Sequence, residues 1–255
     1  MSRRSRRIWW QSVEILGLGA TEIAIALVAL AVGACVQSSL GFGLGLLVAP
    51  ILMLLDPRLV PGPLLAMGLP LTILIACRDR VAMDVKGVRW AIVGRIPGAA
   101  LGGIAIVLLA PRGLSALFVG VILTAVVLSV LGLSVTPTSS TLFGAGVLSG
   151  FMATSVGVGG PPLALVYQRS DGPEIRASLA GIQIFGSVTS VAALTVVGKF
   201  DSADLRLAGL LVSGLLVGFG LSFFVAPHLD RRIIRPAVLV FATVSAVSIV
   251  IRDVI

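Results

Sequence analysis

Ser38-Ser39-Leu40-Gly41-Phe42-Gly43-Leu44-Gly45-Leu46-Leu47-Val48-Ala49-Pro50 lies inside an apolar run that extends from about Ile23 to Leu55. About 20 residues cross the hydrocarbon core of a bilayer, so the run is too long for one simple span. Three glycines at alternate positions, led by two serines, weaken a continuous helix there. A related stretch stands in the second half, Thr154-Ser155-Val156-Gly157-Val158-Gly159-Gly160-Pro161-Pro162-Leu163. Both read as breaks in membrane-embedded helices, facing each other across one site.

Composition agrees with membrane burial. The chain has 255 residues, 57% hydrophobic and 12% charged, whereas soluble domains average about a quarter charged. The class is an all-α polytopic integral membrane protein. A transmembrane β-barrel is excluded because the apolar segments are continuous rather than alternating. The net charge of +8 does not indicate nucleic acid, because the arginines stand at the N-terminus and between apolar segments. No separate basic domain exists to bind nucleic acid.

The chain divides into a basic cytoplasmic leader (1–21), a first membrane repeat (22–133), an uncharged polar linker (134–140) and a second repeat (141–255). In the leader, Trp9 and Trp10 fit an interfacial anchor. Arg3-Arg4-Ser5-Arg6-Arg7 and the run ending in Cys35 have the outline of a secretion leader. Gly33 fits a lipoprotein box poorly, however, and the apolar run continues past Cys35. Eight spans are expected: the broken 23–55 segment, then 60–77, 90–109, 114–133, a broken segment from 142, then 177–198, 207–226 and 236–251.

Shifting the second half onto the first by 116 residues superposes Gly41 on Gly157 and Gly43 on Gly159. It also superposes Ser39 on Ser155, Gly98 and Gly102 on Gly214 and Gly218, Pro57 on Pro173 and Pro111 on Pro227. These coincidences exceed what composition supplies, so the chain reads as an internal duplication. A broken segment at matching places in two halves points to a secondary transporter's binding site. Four spans per half make the repeats parallel, and the Lys/Arg bias favours that arrangement. Reading each broken segment as a helical hairpin gives ten segments in two inverted sets of five, from which alternating access is more simply built.

A helix restarting near Gly43 or Gly160 leaves its first N–H groups unpaired, and with the positive helix end these favour an anion. Ser38, Ser39, Thr154 and Ser155 can add hydroxyl donors. Pro161 suits a first helical turn, which needs no N–H from it. The candidate substrate-binding set is therefore Ser38, Ser39, Gly41, Phe42, Gly43, Thr154, Ser155, Gly157, Gly159, Gly160 and Pro161. The competing reading assigns the glycines to close helix packing alone, as Gly94, Gly98 and Gly102 and their partners Gly214 and Gly218 are read.

Three further residues are candidate pathway groups. Arg95 falls inside the third span, where a charge is a functional hypothesis; it either attracts an anion or snorkels to the interface beside Trp90. Gln37 and Gln183 either line the path or bond helix to helix. No acidic residue falls mid-span, so no carboxylate proton relay is evident. One histidine and two separated cysteines, Cys35 and Cys77, give no metal spacing, and no cofactor is implied. The absence of a Walker motif excludes ATP hydrolysis. The serines lack a histidine partner and make no nucleophile, so no enzyme is expected.

Ser39-Leu40-Gly41-Phe42-Gly43-Leu44-Gly45 followed by Pro50, Gly157-Val158-Gly159-Gly160-Pro161, and the half-chain duplication resemble the TauE/SafE sulfite exporter family over roughly residues 22–252. The resemblance implies a multi-pass transporter of the bacterial inner membrane. It implies as substrate a small sulfur-containing anion such as sulfite, sulfoacetate or a related organosulfonate. Its matching positions here are Ser39, Gly41, Phe42, Gly43, Ser155, Gly157, Gly159, Gly160 and Pro161. The expected partners are the lipid bilayer and that anion, with export by alternating access as the working direction. The rival class is a membrane-embedded partner subunit with no transport of its own.

Overall fold

The computed structural model describes residues 14–15, 17–130, 135–226 and 237–244. The chain is helical nearly throughout: α1 (Ala20–Leu40), α2 (Leu44–Leu55), α3 (Gly62–Asp79), α4 (Val85–Leu108), α5 (Pro111–Val130), α6 (Ser139–Val156), α7 (Gly160–Val166), α8 (Gly172–Val196) and α9 (Ser202–Val225). Residues 237–244 are also helical. Among the described residues, extended pairing is limited to Glu14–Ile15 with Leu18–Gly19, just before α1. Helices α1, α4, α5, α8 and α9 are long and apolar enough to cross a membrane. The fold is that of an all-α polytopic membrane protein.

Burial follows the inverted logic of a lipid solvent. Leu30, Leu46, Leu52, Met67, Leu71, Leu211 and Leu215 form a packed interior. Val28, Leu101, Leu108, Val217 and Phe224 point outward and are exposed, which suits hydrocarbon rather than water.

The helices reach further into charged sequence than the apolar runs indicate. α3 carries Arg78 and Asp79 within its last turn, residues expected in a loop. α4 opens at Val85, where Asp84 accepts the Gly87 N–H as a cap. α8 opens at Gly172 and takes in Glu174 and Arg176. The reason is that capping and tertiary contacts, not hydropathy, fix where a helix stops. In the linker, Ser139 and Ser140 belong to α6, which Thr138 caps through the Thr141 N–H. The leader through residue 13, with Trp9 and Trp10, lies outside the described residues, as do 131–134 and most of the expected last loop and span.

The element order of α1 to α5 recurs from α6 onward. α4 packs along α6 and α1 along α9, while α3 packs on α8. Glycine makes the first two contacts close. A Cβ at Gly94, Gly98 or Gly102 would run into the carbonyls of Phe143, Val147 and Phe151 in turn. Both series rise together, so α4 and α6 run parallel. Likewise Gly214 and Gly218 sit on the carbonyls of Leu27 and Ala31. Leu27 and Ala31 correspond to Phe143 and Val147 in the duplication, so by packing Gly94 and Gly98 occupy the places of Gly214 and Gly218. The superposition of Gly98 on Gly214, expected from an unbroken shift, is therefore one helical turn out of step.

Both broken segments are hairpins. Gly33 of α1 packs against Leu44 and Val48 of α2, so α2 returns along α1. Its far end brings Arg58 beside Gly17, next to the start of α1. In the second half, Gly159 packs on Ser149 and Ala153 of α6. α7 then returns until the Tyr167 hydroxyl donates to Asp84 at the start of α4, over 3.0 Å. α3 ends where α8 begins, tied by Arg176 to Asp79 at 2.7 Å, so these equivalent helices are antiparallel. Among the described residues the halves thus run as inverted sets, α1–α5 against α6–α9 with 237–244. Conventional single spans through the two breaks do not describe the chain, because each break reverses its helix.

Candidate functional site

The site grows from two reversals. α1 ends at Gly41, whose φ of +93° and N–H bond to the Gln37 carbonyl form a left-handed cap. α6 ends the same way at Gly157, with φ +80°. Only glycine takes this conformation without cost. The second glycine of each break differs: Gly43 is at φ +122°, but Gly159, the cap of α7, is at −108°. Gly159 is small for another reason, since a Cβ would press on Ala153 and the Ser149 carbonyl.

The two breaks touch. A Cβ at Gly45 would lie 2.5 Å from the Gly157 carbonyl oxygen and 3.1 Å from the Val158 Cα. A Cβ at Gly160 would lie 3.2 Å from that of Phe42. Gly41 rests on Ile175 and the backbone of Arg176. All eleven candidate binding residues therefore belong to two adjoining reversals.

Their hydroxyls are not equivalent. Ser39 donates to the Cys35 carbonyl at 2.8 Å, and Ser155 to the Phe151 carbonyl at 2.7 Å. Each hydroxyl has spent its one hydrogen on its own helix, so neither is a free donor. Thr154 donates to Ser190 at 2.7 Å. Ser38 is fully buried, and its Oγ has no hydrogen-bond partner.

The restart helices differ as well. At α2 the Leu44 N–H donates to Gln37 Oε1 at 3.2 Å, while Gln37 Nε2 donates to Gln183 Oε1 at 3.1 Å. Gln37 thus caps α2 and ties the first break to α8. The next N–H groups, of Gly45 and Leu46, belong to the first turn, which has no intrahelical acceptor. α7 has seven residues and carries Pro161 and Pro162 in its first turn, so two of its donors are deleted. The expectation of matching N–H donors at both restarts fails at α7 for that reason.

Arg95 does not snorkel. It is 2% exposed, and its guanidinium occupies the space that a side chain at Gly186 of α8 would need. Its Nη1 donates to Ser149 Oγ at 3.1 Å, and Ser149 Oγ donates onward to the Gly159 carbonyl at 2.5 Å. A buried cation is thereby linked to the second break.

A model of the sulfite exporter TauE/SafE family matches residues 25–249. The chain belongs to that family. No curated protein and no solved structure matches it. Membership makes it a multi-pass protein of a transporter family for sulfur compounds.

Around the paired reversals of this TauE/SafE chain stand residues that apolar periodicity passes over. Arg78 donates to the Ser38 carbonyl and, at 3.4 Å, to Ser222 Oγ. It also lies over the rings of Phe219 and Phe223 at 5.6 and 5.5 Å. Arg176 and Arg78 share Asp79. One signal for the α8 residues was present. Arg176, Gln183 and Ser190 recur every seven residues, which places them on one helix face. That face meets Asp79 beside the first break, then Gln37, then Thr154 beside the second. At 1.5 Å per residue it extends about 21 Å. Outside the membrane segments, Asp56 is held by Arg58 at 2.6 Å. Burial alone would raise its carboxyl, but the Arg58 hydrogen bonds and charge outweigh this and hold it below the usual carboxylate range. Asp56 is therefore charged at neutral pH and unsuited to carrying a coupling proton.

Proposed function

We propose that the protein is a secondary transporter that moves a small sulfur-containing anion across the bacterial inner membrane by alternating access. The substrate class is sulfite, sulfoacetate or a related organosulfonate, and the direction is export. The observation that carries this reading is the contact between two helix reversals approaching from opposite sides, Gly45 on Gly157 and Phe42 on Gly160. Irregular backbone within a membrane is tolerated only where protein buries it or a cavity needs it. Inverted repeats with discontinuous helices at their interface are the common architecture of secondary transporters. Rocking one inverted half against the other would open the junction first to one face, then to the other.

Charge favours an anion and its outward movement. Arg78, Arg176 and Arg95 all bond at or beside the reversals, and among the described residues Asp79 pairs with two of them while Arg95 has no carboxylate partner. An inside-negative potential assists exit of an anion by about 2.3 kcal/mol per charge per 100 mV. No carboxylate lies among the candidate pathway residues to bind a driving cation.

The test is flux of radiolabelled sulfite and sulfoacetate in proteoliposomes of the purified protein, with and without an imposed potential. Saturable flux, accelerated when the potential drives anions outward, is the expected outcome. A Gly160→Leu variant, which presses on Phe42, should retain its fold and lose at least 10-fold in rate. Absence of flux for every sulfur anion would overturn the transporter reading. Electroneutral flux with an absolute sodium requirement would overturn the potential-assisted mechanism.

A further inference from the structure

We propose that Arg95 is the fixed counter-charge for the transported anion, so that the two halves contribute unlike parts of a single anion site. This rests on the transport reading above and adds the residue that recognises charge. Three observations carry it.

First, Arg95 is a buried guanidinium with no carboxylate partner among the described residues. The ion pairs found there involve Arg58, Arg78 and Arg176. Buried charges in proteins are ordinarily paired, and an intramembrane cation that is not paired marks a ligand or ion path. Its Nη1 meets a neutral hydroxyl, Ser149 Oγ. Its Nε is buried and has no partner at all. The guanidinium is a planar fork built for two oxygens of one oxyanion, and its Nε donor is unspent.

Second, the fold reserves space for it. Gly186 faces the guanidinium so closely that any side chain there would displace it. Gly150 lets α6 approach the Arg95 backbone. One turn before Gly186 on α8 stands Gln183, the partner of Gln37. Gln37 in turn caps α2 and is followed by Ser38, whose buried hydroxyl also lacks a partner. Among the described residues the two unsatisfied buried polar atoms thus belong to Ser38, the neighbour of Gln37 in sequence, and to Arg95, which faces Gly186 one turn from Gln183.

Third, the arrangement is not duplicated. By packing, Gly94 and Gly98 stand where Gly214 and Gly218 stand in the other half, which places Leu215 where Arg95 is. Leu215 is fully buried. The first half supplies neutral donors from Ser38 and the α2 start. It also supplies the charge, Arg95, while the second half contributes Ser149, which accepts from that guanidinium, and Pro161 and Pro162 have removed α7 donors there. One anion per cycle follows, rather than one per repeat.

The experiment measures anion-dependent thermal stabilisation of the purified full-length protein in detergent, with sulfite, sulfoacetate, sulfate and chloride as probes, alongside proteoliposome flux. Binding to the native state raises its stability in proportion to occupancy, so this readout does not depend on transport. Arg95→Leu copies the residue already accommodated at the equivalent position, and Arg95→Lys keeps the charge but loses the planar fork. Wild type is expected to be stabilised by at least one sulfur oxyanion. Arg95→Leu should fold, lose that stabilisation and weaken the apparent Kd at least 30-fold; Arg95→Lys should be intermediate. Folded Arg95→Leu with a Kd within 2-fold of wild type would overturn the proposal, as would wild type stabilised by none of the four anions. Should Arg95→Leu fail to fold, Gly186→Ala, which displaces the guanidinium, decides: retained affinity overturns the proposal and a 10-fold loss supports it. Wild-type binding without flux would sink the transporter reading and leave the Arg95 assignment standing. Normal flux in Arg95→Leu would do the reverse.

Discussion

At the scale of single residues, what could be read from sequence was conformation, and what could not was the bookkeeping of hydrogens. Gly41 and Gly157 each follow two residues after a serine that bonds its own helix, and both adopt the left-handed cap that such a glycine invites. The paired serines looked like donors for a ligand, yet Ser39 and Ser155 have a carbonyl four residues back within reach. A hydroxyl inside a helix commonly takes that partner, and sequence alone does not reveal which of two adjacent serines does so. The difference gives a sharp expectation. Ser38→Ala removes an unpartnered buried hydroxyl, so the anion-free protein should be as stable as wild type or more so. Its affinity for the anion should fall about 5-fold, the worth of one hydrogen bond of about 1 kcal/mol. Ser39→Ala should leave affinity within 2-fold. Thermal denaturation with and without sulfite measures both, and equal effects of the two substitutions would remove Ser38 from the site.

At the scale of elements, the breaks were legible because glycine and proline interrupt a helix wherever they cluster. The extents of the helices were not, because Asp84 and Thr138 cap helices inside polar stretches that hydropathy assigns to loops. The glycines spaced by four declared a packing face, and the structure adds that the partners are carbonyls. Side chains can yield to a larger neighbour; a carbonyl held in a helix cannot. Gly98→Leu should therefore push α4 from α6 and cost at least the usual 1–3 kcal/mol, roughly, of an overpacked site. The matched control is Gly209→Leu in α9, where nothing lies within 4 Å of the added carbon. Thermal unfolding in detergent should separate the two variants by several degrees. Comparable stability would mean that α4 and α6 do not depend on close approach. The α8 stripe of Arg176, Gln183 and Ser190 belongs to this scale too. It was readable as a period of seven, but was overshadowed by the apolar residues around it.

At the scale of the whole molecule, sequence identified a duplication but not its hand. Positive-charge bias is a weak guide when short loops on both sides carry arginine. Packing supplies what charge could not: the end of α3 meets the start of α8, and each broken segment doubles back. Inversion has a consequence that can be checked without substrate. If α6 and α7 form a hairpin, residues just before α6 and just after α7 emerge on one face of the membrane. If they form one continuous span, those residues emerge on opposite faces. Ser140 and Arg169 are both exposed and bracket the hairpin, while Arg112, exposed at the start of α5, lies one crossing away from Ser140. Single cysteines at these three positions, introduced after Cys35 and Cys77 are replaced by serine, should show it in sealed vesicles. An impermeant maleimide is expected to label Ser140→Cys and Arg169→Cys from the same side and Arg112→Cys from the other. Labelling of positions 140 and 169 from opposite sides would establish a continuous span through Gly157. The halves would then be parallel, and the two reversals could no longer approach each other from opposite faces. The geometry that makes alternating access possible here would go with them.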